Sequence, residues 1–354
     1  MENKLFQSMT QTVAFDGQPA KLVEISNKHG MSVTLMDIGA TWLSCIVPLK
    51  NEQREVLLGL STMSDFEKHS TFLGATVGRY ANRIKQGRFE IAGQSYQLST
   101  NQASHTLHGG ADGFDKRRWH IEQKSNDSVT FSLLSCDGDQ GFPGQLNVSV
   151  CYSLTDENEV QIRYEAVTDK ATPVNLTNHG YFNLSGAESG IDCKTHQLRI
   201  NATHYLPTDD QGIPLGNLAK VEDSSFDFLL AKQVDQDFLT DAQQLVAKGY
   251  DHSFLLNNDC LQESCAAEVS APDNSVTLRV YTNKPALQLY TGNWLAGTPN
   301  RLGGEYADYA GLALETQFLP DSPNHPEWKQ SNSILDVGEK YVYQTTYQFI
   351  INKQ

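Results

Sequence analysis

The sequence predicts an all-β fold: one large antiparallel β-sandwich with a few short helices, spanning residues 1–354 as a single domain. Three observations predict it. Apolar and polar residues alternate with a period of two along most of the chain, the spacing at which neighbouring strand residues face opposite sides. Gly, Asn, Asp and Pro sit between the alternating runs and favour turns there. Helical windows are few and short, around Ser61–His69 and Thr240–Lys248, and no Pro/Ser-rich linker, charge block or short repeat marks a seam between domains.

In chain order, "KLVEIS" (21–26), "MSVTLMDIG" (31–39), "RFEIAGQSYQL" (88–98) and "SVTFSLLS" (128–135) read as strands. The clearest hairpin follows. "QLNVSVCYSL" puts Leu146, Val148, Val150, Tyr152 and Leu154 on one face, the turn "TDEN" intervenes, and "EVQIRYEAV" repeats the pattern with Val160, Ile162, Tyr164 and Ala166. "SVTLRVY" (275–281) and "ALQLYTG" (286–292) continue the series. The long last run, "KYVYQTTYQFII" (340–351), is expected to pair into the body of a sheet.

Composition narrows the function. The charge is 27 − 42 = −15, which argues against nucleic acid and anionic membrane surfaces as partners and disfavours a strongly anionic substrate. Lys116-Arg117-Arg118 is too short a basic run for a phosphate patch and reads as a solvated loop. No apolar run approaches a membrane span, and "MENKLFQSMTQTVAFDG" lacks the basic start and apolar core of a signal peptide. Six cysteines (45, 136, 151, 193, 260, 265) without C-x-x-C spacing read as free, mostly buried thiols, so a cytoplasmic location is expected.

Several chemistries lack their required partners. "HGGADG" (108–113) suggests an esterase oxyanion loop, but no G-x-S-x-G elbow is present. There is no Walker loop and no G-x-G-x-x-G. "DGDQG" (137–141) begins like a calcium loop whose twelfth position is Val148 rather than Glu. His105 and His108 are three apart without a nearby thiol or H-E-x-x-H pattern, so no metal is expected.

Polar residues recur instead in rigid settings. "NLTNHGYFNLSG" (175–186), if extended, places Asn175, Thr177, His179 and Tyr181 on one face and Leu176, Asn178 and Phe182 on the other. It is either a buried structural strand or one wall of a hydroxyl-reading pocket with His179 as proton carrier. "GRYANRI" (78–84) offers Asn82 and Arg83, and "TLHGG" (106–110) offers His108 before two glycines. "GYDHSFLLN" (249–257) presents Asp251, and "LQLYTGN" (287–293) sets Gln288 opposite Leu287 and Leu289. "LALETQFLPDSPNHPE" (312–327) puts Glu315 and Gln317 on one strand face, with Leu312 and Leu314 on the other. Together these residues suit a neutral polyol such as a sugar, whose hydroxyls both donate and accept.

The motifs "NLTNHGYFNL", "TLHGGADGFDKRRW", "GYDHSF", "ALQLYTGNW" and "LETQFLPDSPNHP" resemble those of the aldose 1-epimerase (galactose mutarotase) family, and "DGDQGFPG" and "YLPTDDQGIPLG" resemble its hairpin and loop signatures. The similarity runs from about Gln11 onward. It implies a galactose mutarotase-like supersandwich with an open sugar cleft and no cofactor. It also implies interconversion of the α and β anomers of free aldohexoses such as galactose and glucose by acid/base ring opening. By the same resemblance Glu315 is the general base, His179 the general acid and His108 a polarising and orienting group. Asn82, Arg83, His108, Tyr181, Asp251 and Gln288 bind hydroxyls. One departure is His105, where the family commonly has asparagine, and it touches only a peripheral contact.

Ring opening needs a base on the C1 hydroxyl and an acid on the ring oxygen, so a carboxylate and an imidazolium are a matched pair. On that reading the rate falls at low pH as Glu315 protonates and at high pH as His179 loses its proton. A glycosidase using Asp251 and Glu315, or a catalytically silent sugar binder, are the alternatives; a phosphorylated-sugar epimerase would need more than one arginine in the cleft. The expected partner is a small sugar, with the chain a monomer or homodimer.

Overall fold

The computed structural model of the protein describes residues 4–69, 71–328 and 330–352, so the ends of the domain expected over 1–354 lie outside the described residues. The all-β expectation holds. Among the described residues a nine-stranded antiparallel sheet faces a six-stranded one, with a four-stranded sheet (Leu22–Ser26, Ser32–Met36, Thr41–Pro48, Gln53–Glu55) alongside.

The predicted hairpin forms the middle of the nine-stranded sheet. Leu146–Leu154 pairs with Glu159–Thr168 in unbroken register from Leu146↔Thr168 to Leu154↔Val160. Thr155 N–H donates to the Glu159 carbonyl across the turn at 3.0 Å. Tyr341–Ile351 does pair into the sheet's body, between Glu159–Thr168 on one side and Val276–Thr282 on the other.

The six-stranded sheet runs in the order Tyr181–Phe182, Leu312–Gln317, Ala286–Tyr290, Asp251–Leu255, His204–Leu206 and Ala219–Lys220. One of its faces carries Leu312, Leu314, Leu287, Leu289 and Phe254. These join the main core with Val148, Val150, Ile162 and Tyr347 from the nine-stranded sheet. Burying each such side chain contributes about 1.5–3 kcal/mol. The layers are also tied by the Tyr347 hydroxyl, which donates to the Leu314 carbonyl at 2.9 Å. The opposite face is thereby free to present Glu315, Gln288 and Asp251 on a rigid floor.

Both expected helices form, as Met63–Lys68 and Ala242–Ala247. Thr62 and Asp241 cap them by accepting from the N–H groups of Asp65 and Gln243. A third, Lys4–Thr10, was not anticipated. No helix among the described residues is long and apolar enough to cross a membrane. All six cysteines are free, but only Cys45, Cys193 and Cys260 are buried, fewer than the sequence suggested.

One expectation needs correcting. Residues 175–186 are not a continuous strand. Thr177–Asn178 pairs with Thr76–Val77, while Tyr181–Phe182 pairs with Leu312–Ala313. The chain changes partner at His179-Gly180. The side-chain amides make this possible by replacing ladder bonds: Asn175 donates to the Ala81 carbonyl and accepts from Phe318 N–H, and Asn178 donates to the Gly74 carbonyl at 2.7 Å. Asn183 does the same for the carbonyls of Ile191 and Ala310. They satisfy buried backbone groups that would otherwise be costly and do not line a pocket.

Candidate active site

His179 is held by its own backbone. Its N–H donates to the Ala75 carbonyl at 3.0 Å, and its carbonyl accepts from Gly74 N–H at 2.9 Å. The fixed main chain points the imidazole at Glu315, which sits on the neighbouring strand face: His179 Nε2 lies 3.5 Å from Glu315 Oε1, with side-chain exposures of 5% and 2%. The other polar atoms of the pair, His179 Nδ1 and Glu315 Oε2, have no hydrogen-bond partner among the described residues.

His108 enters from the opposite wall. Its ring centroid is 5.4 Å from that of His179. Asn82 N–H donates to His108 Nδ1 at 3.1 Å, so the neutral ring carries its proton on Nε2 and offers a donor. His108 and Asn82 both have left-handed backbones (φ 51° and 62°). The next residue, Gly109 (φ 88°), permits this approach because a Cβ there would collide with the Gly78 carbonyl.

Asp251 and Arg83 form the third side, 3.9 Å apart. Arg83 Nε donates to Gln102 Oε1 at 2.7 Å. Asp251 Oδ1 accepts from Gln288 Nε2 at 2.7 Å, and the Gln288 carbonyl oxygen accepts from Ser253 Oγ and Gln317 Nε2. Strand register explains the grouping, since Gln288 stands opposite both Glu315 and Ser253.

These walls enclose a cavity of about 200 Å³, lined by Asn82, Arg83, His108, His179, Tyr181, Asp251 and Glu315. All were singled out from the sequence. Gln288 was too; it is buried on the strand between those of Asp251 and Glu315 and holds the Asp251 carboxylate. His105 is also outside, bonded to Gln86 N–H and the Gln211 side chain, which fits a peripheral place. Sequence reasoning missed Phe72, Tyr290 and Trp294, which also line the cavity. Trp294 offered a signal, since it ends the motif "ALQLYTGNW"; in the structure it is 60% exposed at the mouth. Aromatic rings with a polar edge suit the boundary between pocket and water.

Burial dominates the electrostatics. It pushes Glu315 well above the usual carboxylate range, with Asp251 adding to the effect and Arg83 opposing it. It lowers His179 to about 4, and it lowers His108 too, helped by His179 and Arg83. Burial therefore favours a carboxylic acid beside a neutral imidazole. The carboxylate and imidazolium assumed from the sequence are the disfavoured arrangement there, because burial penalises both charges. His108, His179 and Glu315 also offer three ligand atoms within 4.8 Å of one another, a spacing compatible with a metal ion.

Comparison with known proteins gives a consistent picture. The aldose 1-epimerase family model matches residues 21–348. Aldose 1-epimerase of Haemophilus influenzae is 52% identical over 334 residues, covering 94% of this chain and 97% of the relative. Galactose mutarotase of Mus musculus is 39% identical over 323 residues, covering 91% and 92%. Among solved structures, an aldose epimerase homologue from C. elegans aligns with a TM-score of 0.86 at 30% identity, covering 94% of this chain and 99% of that one.

Proposed function

Because this chain belongs to the aldose 1-epimerase family and interconverts the α and β anomers of free aldohexoses, we propose that Glu315 and His179 are its proton-transfer pair. The observation that carries the proposal is their 3.5 Å separation on the cavity wall. The two oxygens that exchange protons, the C1 hydroxyl and the ring oxygen, are both bonded to C1, so base and acid must be neighbours. Glu315 takes the hydroxyl proton while His179 protonates the ring oxygen; the C1–C2 bond of the open aldehyde rotates, and the same groups reclose the ring in reverse. The ionised pair precedes opening and the neutral pair follows it. Both hold one proton between them, so the cycle needs no exchange with water.

His108 Nε2–H polarises the reacting oxygens. Arg83, Asn82, Tyr181 and Asp251 hold the remaining hydroxyls, with Gln288 keeping Asp251 in place. Galactose and glucose are the proposed substrates. The match over residues 21–348 supports a single domain, the charge of −15 supports the absence of nucleic-acid and anionic-membrane partners, and the free cysteines support a cytoplasmic location; the proposed form is a monomer or homodimer. A glycosidase role for Asp251 and Glu315 is disfavoured, because Asp251 is engaged by Gln288 and faces Arg83.

Polarimetry on freshly dissolved α-galactose and α-glucose tests this directly. Mutarotation should be accelerated without added metal, and a chelator should leave the rate unchanged; a rate lost to chelator and restored by a divalent ion would overturn acid/base catalysis by the residues alone. The pH profile should be a broad bell. At its acid limb the pair takes up a second proton, so the rate declines as pH falls through about 4, the depressed value of His179. At its alkaline limb the pair loses its only proton, so the rate declines as pH climbs through the raised value of Glu315. Each limb belongs to the pair rather than to one residue. A rate already falling below about pH 6, near the ordinary histidine value, would contradict a pair shifted by burial.

Asp251→Asn removes a charged acceptor from hydroxyls that do not react. It should lower kcat/KM by roughly 10–100-fold, mostly through KM, as steady-state polarimetry can resolve. A loss carried entirely by kcat would place Asp251 in the chemistry instead.

A further inference from the structure

Adjoining the reacting cavity is a second, larger one of about 430 Å³ that opens at the surface, its apolar walls Phe15, Ile38, Leu60, Phe66, Leu73 and Ala75. Thr71 and Phe72 line both cavities. The Phe72 ring lies 4.6 Å from the His108 centroid and is stacked on His179 at 5.8 Å with an interplanar angle of 21°. Its backbone is left-handed (φ 56°), an uncommon conformation for a bulky residue, which surrounding structure must hold in place. The hold is visible: the Tyr181 hydroxyl donates to the Thr71 carbonyl at 3.1 Å, and Ala75 N–H donates to the Phe72 carbonyl at 3.0 Å.

We propose that Phe72 is a positioning residue: its ring is the partition that separates the imidazoles of His108 and His179 from the second cavity and braces them at their working angle. The inference rests on the roles given above to these histidines. His179 is faced by Glu315, His108, Tyr181, Tyr290 and Asp251, and His108 by Arg83 as well. Across the partition the second cavity carries Glu67, Lys68, His69, Asp112, Asp115 and Lys116. Removing the ring joins the two spaces, so water and these charges reach the back of both imidazoles. The main cause of their low proton affinity is then weakened.

The test is an NMR titration of the histidine rings, run beside the pH dependence of kcat, in wild type, Phe72→Ala and Phe72→Leu. In Phe72→Ala the His179 midpoint should move up by about one pH unit, toward the ordinary histidine value. The acid limb of kcat should move with it, kcat should fall roughly tenfold from lost positioning, and KM should change less. Phe72→Leu refills most of the gap and should return both the midpoint and the limb close to wild type. If Phe72→Ala does not fold, Phe72→Val should fall between Leu and that extreme. A folded variant with wild-type histidine titration and acid limb would overturn the partition, as would Leu shifting both as far as the smaller residues. The ring titration reports the partition even if His179→Gln proves fully active, so failure of the catalytic assignment is distinguishable from failure of this one.

Discussion

Glu315→Gln should lower kcat by about 10²–10⁴-fold, roughly 3–5 kcal/mol of barrier, while sugar binding and fold are retained. The amide keeps the shape of the carboxyl group and occupies the same strand position opposite Gln288, but it cannot accept the C1 hydroxyl proton. Loss of the carboxyl group also removes an acid buried against its ordinary preference, so thermal stability should hold or rise slightly. Polarimetric kcat and KM, together with a melting curve, check the result. Near-normal turnover in a folded Glu315→Gln protein would end the proposed mechanism.

His179→Gln should cost kcat a similar factor, because glutamine cannot deliver a proton to the ring oxygen. Its structural cost is larger. The imidazole packs on Tyr181 at 4.8 Å and on Phe72 at 5.8 Å, contacts that glutamine does not reproduce, so a lower melting temperature is expected alongside the lost rate. The double variant separates the two effects. If base and acid act as one unit on one shared proton, Glu315→Gln/His179→Gln should be little slower than either single change. Multiplying losses would mean that the two groups act independently.

The sequence made most of this legible for an identifiable reason. A strand's faces are written in alternate residues, so Leu312 and Leu314 against Glu315 and Gln317 could be read directly, and the structure places the leucines in the core. What alternation does not encode is which strand lies beside which. That Gln288 would bond to Asp251 while standing opposite Glu315 depends on the register between three strands, so it became visible only with the fold. The stretch around His179 failed for a different reason. Its polar alternation imitates a half-exposed strand, yet the amides bond to backbone on both sides of a break, a use of asparagine that period-two reading cannot distinguish from a ligand-facing one. Phe72 left no periodic trace either, because its position depends on a left-handed backbone in a loop. The protonation state was the last thing out of reach. It depends on how completely Glu315 and His179 are enclosed, a property of the assembled layers and not of any segment.

The strand Tyr341–Ile351 lies between Glu159–Thr168 and Val276–Thr282, and those two strands have no pairing with each other. Until residues 341–351 are available, the sheet can therefore form only as two pieces with facing, unpaired edges. Only then can Glu159 meet Gln348 and close the largest sheet, through contacts nearly two hundred residues apart. Such remote pairings make folding slow, and open edges are templates for self-association. Self-association is thus most favoured after the proposed catalytic side chains are made but before residues 341–351 are available to complete the rigid sheet that backs them.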